Sequence, residues 1–194
     1  MDYSVKTESY FKFLKETVDK IDRNEIEKAI RLLIDARDAK RNIFIMGNGG
    51  SAATASHFTG DFNKGLSLNQ EKKFRFICLN DNLPTMLSLA NDVDYNSVFI
   101  EQLKNFMEKG DVVIGISGSG NSKNVVLAVE YAKECGNTVI GLTGYNGGQL
   151  KELADVRLHV PLDNMQIVED FHMVFAHLMM YVIMQTMAED TCSS

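Results

Sequence analysis

Twice in this chain a short apolar run is cut off by a cluster of Gly, Ser and Asn, and a helical pattern follows at once. Residues 42–46 (NIFIM) lead into Gly47-Asn48-Gly49-Gly50, and residues 112–116 (VVIGI) lead into Ser117-Gly118-Ser119-Gly120. A continuously apolar run of this length reads as a parallel strand buried on both faces, and a glycine turn opening a helix is the connection such a strand needs. The alternation continues, with strands expected at 75–79, 138–143 and 156–160. Helices are expected at 51–63, 82–90, 96–109, 122–135, 148–153 and about 164–188. Five strands with helical crossovers predict an α/β fold built on a doubly wound five-stranded parallel sheet. Two helices precede it. Residues 4–21 place Val5, Phe11, Leu14, Val18 and Ile21 at helical spacing. A second helix is expected to be capped by Asn24, with Glu27 at the capping-box position.

The 194 residues suit a single domain, with residues 1–40 as a helical region ahead of an α/β core at 41–194. A net charge of -6 with no basic stripe argues against a partner held through nucleic-acid phosphates. No apolar run approaches the roughly 20 residues of a membrane span, and the charged N-terminus lacks a signal-peptide core, so no membrane partner and a cytoplasmic location are expected. Cys78, Cys135 and Cys192 are far apart and odd in number, which argues against a disulfide scaffold. The final helix carries apolar residues on nearly every side, among them Phe171, Val174, Phe175, Leu178, Met179 and Ile183. An outer helix of a small α/β domain buries such a surface only against another subunit, so a homo-oligomer is expected.

Both glycine and serine loops suit an anion. Glycines leave backbone amides unshielded, and the helix that follows offers free N–H groups and the positive end of its dipole. Ser51 adds a hydroxyl to the first loop. In the second, Ser117, Ser119 and Ser122 place hydroxyl donors around a helix N-terminus, which is chemistry for a sugar phosphate. That loop has no Lys, so it is not a nucleotide-binding Walker loop. Gly47, Gly49 and Ala52 also satisfy a dinucleotide pattern, with Asp81 closing the second strand, so a dinucleotide oxidoreductase stays open at this point.

A second constellation involves metal-binding residue types. His57 and Asp61 stand four apart on the expected helix 51–63, one turn apart on one face, a spacing suited to a divalent ion but also to an ordinary surface pair. The final helix adds Glu169, Asp170, His172 and His177. Glu169 and His177, eight apart, lie about 80° apart around the axis and can converge through long side chains.

The segments GNGGSAATASHF, LANDVDYNSVFIEQL, GDVVIGISGSGNSKNVV and GLTGYNGG, with the flanking helices, resemble the SIS (sugar isomerase) domain family, most closely its phosphoheptose isomerase branch. The resemblance spans nearly the whole chain and implies a flavodoxin-like sheet order and a homotetramer. It implies substrate contacts at Asn48, Gly49, Gly50 and Ser51, at Asn91 and Asp92 between two helices, and at Ser117, Gly118, Ser119 and Ser122. It also implies a divalent metal, zinc, on His57, Asp61, Glu169 and His177. In the family the second and third of these positions hold Glu and Gln; here they are Asp61, one methylene shorter, and Glu169, which adds a negative charge. His172 matches a family histidine and is given a structural role.

The function so implied is aldose–ketose isomerisation of a phosphorylated sugar, with sedoheptulose 7-phosphate and D-glycero-D-manno-heptose 7-phosphate as the substrate pair. Asp61 or Glu169 would act as base and His177 as proton shuttle. A non-catalytic phosphosugar-binding or scaffolding module, and an isomerase of a different sugar phosphate, are the alternatives.

Overall fold

A computed structural model describes residues 2–192, with side chains described through residue 189, so the Cys192 thiol lies outside the described residues. Five parallel strands form one sheet: β1 (Ile43–Gly47), β2 (Phe76–Cys78), β3 (Val112–Ser117), β4 (Thr138–Thr143) and β5 (Val156–His159), in the order β2-β1-β3-β4-β5. The expected doubly wound sheet is therefore present. β1, β3 and β4 are the apolar central strands; β2, at an edge, is only a short segment with Ile77 partly exposed. The chain leaves β1 in one direction toward β2 and returns to β3 on the other side. Their carboxyl ends form the switch point where ligands of such sheets bind. Gly47 is level with Ile116 in the β1–β3 register, so the two loops emerge side by side.

Helices cover both faces. On one lie α1 (Ser4–Val18), α2 (Arg23–Asp38), α3 (Gly50–Gly60) and the long α8 (Met165–Cys192), packed over a core that includes Leu33, Phe58, Phe62, Phe171 and Phe175. On the other lie α4 (Leu83–Asp92), α5 (Ile100–Phe106), α6 (Lys123–Glu134) and α7 (Gly148–Leu153), around Phe44, Phe99, Leu103, Val125 and Leu150.

Several boundaries differ from expectation for local reasons. Asp22, not Asn24, caps α2: its carboxylate accepts the Asn24 N–H at 2.9 Å. Glu27 does not close a capping box; it pairs with Arg31 one turn on. The helix expected over 96–109 is instead a 3₁₀ turn, Tyr95–Ser97, followed by α5. Asp94 caps that turn by accepting the N–H groups of Asn96 and Ser97. Asn91 and Asp92 are not between helices but in the last turn of α4, which runs on to Asp92.

The helix expected over 51–63 continues as a π-helical turn, Asp61–Gly65, in which the Leu66 N–H reaches back to the Asp61 carbonyl at 3.0 Å. Asn63 and Ser67 hold this widened turn. The Asn63 carboxamide exchanges two hydrogen bonds with the Phe76 backbone, and the Ser67 hydroxyl donates to the Phe62 carbonyl.

The final helix is less uniform than its composition suggests. Ile167, Val168, Phe171, His172, Phe175, Ala176, Met179 and Ile183 are buried against the rest of the chain, whereas Val174, Leu178, Tyr181 and Met184 are exposed. By length and composition alone α8 can cross a membrane, which the expectation about apolar runs missed. Here one stripe of it packs on its own sheet. α1 also has two apolar sides. Tyr10 and Leu14 pack inward, while Val5, Phe11, Phe13 and Val18 are exposed. Cys78 is buried and Cys135 exposed, and neither is in a disulfide.

Candidate active site

The first loop turns from β1 into α3 through Gly49, at φ +54° and ψ -120°, a conformation open to glycine alone. A Cβ there meets nothing within 4 Å, so the backbone angle and not crowding demands the glycine. Asn80, at the end of β2, grips the start of the loop: its amide donates to the Gly47 carbonyl at 2.9 Å and its oxygen accepts the Gly47 N–H at 3.2 Å. Asn48 faces α6, and its carboxamide makes paired hydrogen bonds with that of Asn124.

The second loop is built on its own serines. Ser117 and Ser122 hydroxyls lie 3.0 Å apart, and the Ser119 hydroxyl accepts the Asn121 N–H at 3.2 Å. Gly120 has φ +68°, and a Cβ on it would lie 1.8 Å from the Gly147 carbonyl oxygen. The loop therefore presses directly on the β4–α7 turn. Two further ties join them: Leu150 N–H donates to the Gly120 carbonyl, and Gln149 N–H donates to the Asn121 side chain. Ser119 is exposed beside a depression of about 590 Å³ that Asn121, Tyr145, Asn146 and Asp163 also line. A space of this size suits a phosphorylated sugar.

α3 and α8 run side by side in the same direction. A Cβ on Gly50 would lie within 2.9 Å of the Glu169 carboxylate, and a Cβ on Gly65 would lie 2.4 Å from the Met180 methyl group. Between these points His57 meets His177, their Nε2 atoms 2.9 Å apart. Asp61 Oδ2 is 3.2 Å from His57 Nε2 and 3.7 Å from His177 Nε2. That oxygen is buried and has no hydrogen bond among the described residues. Two imidazole nitrogens and a carboxylate oxygen thus converge, all within 4.8 Å of one another. Facing basic nitrogens beside an unsatisfied carboxylate oxygen make a donor set that suits a divalent cation. Glu169 is not in this trio; its carboxylate rests against Gly50, in the first turn of α3.

His172 lies apart from this cluster. It is 1% exposed, neither ring nitrogen has a hydrogen bond among the described residues, and burial pulls its pKa down to about 4. His159, hydrogen-bonded to the Thr143 hydroxyl, is likewise lowered to about 4, by burial and then by Lys151. Tyr10 on α1 donates to Asp170, which raises the phenol to about 12 and ties α1 to α8. Asn91 hydrogen-bonds its neighbour Asp92, and both are exposed at the end of α4. Asn80, Asn121 and Asn124 were missed as candidates from the sequence. Asn124 carried a readable signal, since it shares a helical stripe with the buried Ala128 and Ala132.

A sheet of this order, with an anion loop on each side of the switch point and a histidine–carboxylate cluster on the adjoining helices, defines a phosphosugar-binding α/β domain. The chain belongs to the SIS domain family, whose model matches residues 9–144. It is 34% identical to the phosphoheptose isomerase of Aliarcobacter butzleri, over 87% of this chain and 90% of the relative. It is 38% identical to the probable phosphoheptose isomerase of Thermoplasma acidophilum, over 81% and 88% of the two chains. Among solved structures, the phosphoheptose isomerase of Neisseria gonorrhoeae superimposes with a TM-score of 0.86 at 29% identity, covering 95% of this chain and all of that one. That from Francisella tularensis gives 0.87 at 27% identity, with the same coverage.

Proposed function

We propose that this chain is a phosphoheptose isomerase that interconverts sedoheptulose 7-phosphate and D-glycero-D-manno-heptose 7-phosphate. The convergence of His57, Asp61 and His177 beside two anion loops is the observation that carries this reading. The relatives named above are phosphoheptose isomerases, that of Thermoplasma acidophilum a probable one, and are matched along most of their length.

Ser117, Gly118, Ser119 and Ser122, with the free amides opening α6, take the phosphate. Binding energy collected there orients the far end of the open-chain sugar. Asn48, Gly49, Gly50 and Ser51 hold the sugar end, with Asn91 and Asp92 at its edge. His57, Asp61 and His177 hold a divalent cation, zinc, with Glu169 as the further donor one turn into α8. A bound ion there supplies Lewis-acid polarisation of the oxygens on the two carbons that exchange hydrogen. Asp61 or Glu169 takes the carbon-bound proton, and His177 moves a proton on oxygen.

The two-sided apolar character of α1 and the exposed Val174, Leu178 and Tyr181 on α8 support a homotetramer, with residues 1–40 as its helical contact region. A cytoplasmic location belongs to the same reading. The deciding experiment is metal analysis of purified protein, together with turnover of sedoheptulose 7-phosphate. Turnover that depends on bound metal supports the reading. Thermal stabilisation by sugar phosphates without turnover leaves a phosphosugar-binding module.

A further inference from the structure

Asn48 is not free to present either end of its carboxamide. Asn124, on the second residue of α6, is 2% exposed, and its Oδ1 accepts the N–H of Val125 at 3.0 Å. That bond fixes which end of the Asn124 amide is oxygen, because a backbone N–H requires an acceptor. The assignment then passes along the chain of contacts. Asn48 Nδ2 donates to Asn124 Oδ1 at 2.8 Å, and Asn124 Nδ2 donates to Asn48 Oδ1 at 2.9 Å. Asn48 Oδ1 also receives the Tyr95 hydroxyl at 2.8 Å. Both lone pairs of that oxygen are thereby used, and so is one of the two Nδ2 hydrogens. One N–H remains.

We propose that Asn124 and Tyr95 are positioning residues that lock the Asn48 carboxamide as a hydrogen-bond donor, so that the first loop recognises a lone pair on a sugar oxygen. The proposal rests on the reading that this loop holds the sugar end of a sugar phosphate. It also explains why a buried asparagine stands on the core-facing stripe of α6: it sets the first loop against the helix that opens at the second. Tyr95 contributes from a third element, since its ring is exposed and its hydroxyl ties the turn after α4 to the same oxygen.

Two variants test this. Asn124→Asp keeps an acceptor for Val125 and for Asn48 Nδ2 but places a second acceptor against Asn48 Oδ1. Tyr95→Phe removes one donor from an exposed ring and leaves the core untouched. The expected result is a KM for sedoheptulose 7-phosphate raised about fivefold or more in Asn124→Asp and about threefold in Tyr95→Phe. The calorimetric Kd for inorganic phosphate, which needs only the second loop, should stay within about twofold of wild type in Tyr95→Phe; Asn124→Asp, which adds a charge in the first turn of α6 beside that loop, is read on KM alone. A purely structural role of Tyr95 moves both constants together, and parallel weakening in Tyr95→Phe overturns the proposal. So does an unchanged KM in both variants. If Asn124→Asp does not fold, Tyr95→Phe decides alone. If the wild type turns over no sugar phosphate, the reading of the reaction falls, and the positioning role is decided on the Kd for sedoheptulose 7-phosphate; no binding overturns both.

Discussion

His57 and His177, 120 residues apart in sequence, bring their Nε2 atoms to 2.9 Å, with the unsatisfied Asp61 Oδ2 beside them. Each imidazole comes from a different helix, and the π turn that begins at Asp61 follows directly on the helix carrying His57. The two helices are held in place by buried apolar packing elsewhere along their length, so the site is a consequence of the core and not a contributor to it.

Either His57→Ala or His177→Ala should therefore lower bound zinc by about tenfold or more while the circular dichroism spectrum stays unchanged. Each substitution removes a neutral nitrogen donor from a partly exposed side chain. Metal content per protomer is the readout, because lost turnover alone does not separate a missing ligand from a missing proton carrier. Wild-type protein that takes up no divalent metal at neutral pH would end the metalloisomerase reading.

The sequence showed much of this. The apolar runs placed all five strands, and the glycine and serine clusters placed both loops, since strand-to-helix turns announce themselves in composition. His57 and Asp61 were readable as a pair because helical spacing is local. Their meeting with His177 was not, because it depends on how α8 crosses the sheet; only the family resemblance pointed there. Asn80 and Tyr95 escaped for a related reason, and so did the partner of Asn124, whose own place on the buried stripe of α6 was readable. Each acts through a contact with a residue distant in sequence, and no local pattern encodes such a partner.

The serine loop should be separable from the His57–Asp61–His177 cluster. Ser119→Ala combined with Ser122→Ala should weaken sugar-phosphate binding by about 1–3 kcal/mol for each charged hydrogen bond lost, and leave unphosphorylated sugars little affected. Calorimetry with the two ligand types checks this. Equal losses for both would place the phosphate elsewhere.

In solution the chain should scatter light as an assembly of about four 21.7 kDa protomers. Phe11→Asp together with Phe13→Asp should shift the mass downward, since both side chains are exposed on α1. A wild-type monomer at micromolar concentration would leave the outer apolar face of α1 without a role and sink the tetramer.

Stability should fall on mild acidification. His172 titrates near 6.5 when unfolded and at about 4 when folded, so the unfolded chain binds more protons between those values. The neutral ring is what the core tolerates. Its contribution is intact above pH 6.5 and is lost as pH falls toward 4, about 2 kcal/mol between pH 7 and pH 5. His159 acts in the same window, less strongly because it is only partly buried. Urea midpoints at the two pH values should converge in His172→Leu relative to wild type. An unchanged gap would show that this ring does not drive the loss.

Gly120→Ala should cost about 3 kcal/mol, from left-handed backbone strain plus the collision with the Gly147 carbonyl. Thermal melting should register this as a drop of roughly 10 °C.

That collision has a genetic corollary. The obstacle facing any side chain at 120 is a main-chain oxygen, and no substitution elsewhere deletes a carbonyl. A selection for second-site revertants of Gly120→Ala should therefore return true reversions, length changes within residues 144–148, or substitutions that raise stability elsewhere in the chain, and no point substitution that relieves the contact by trimming a side chain.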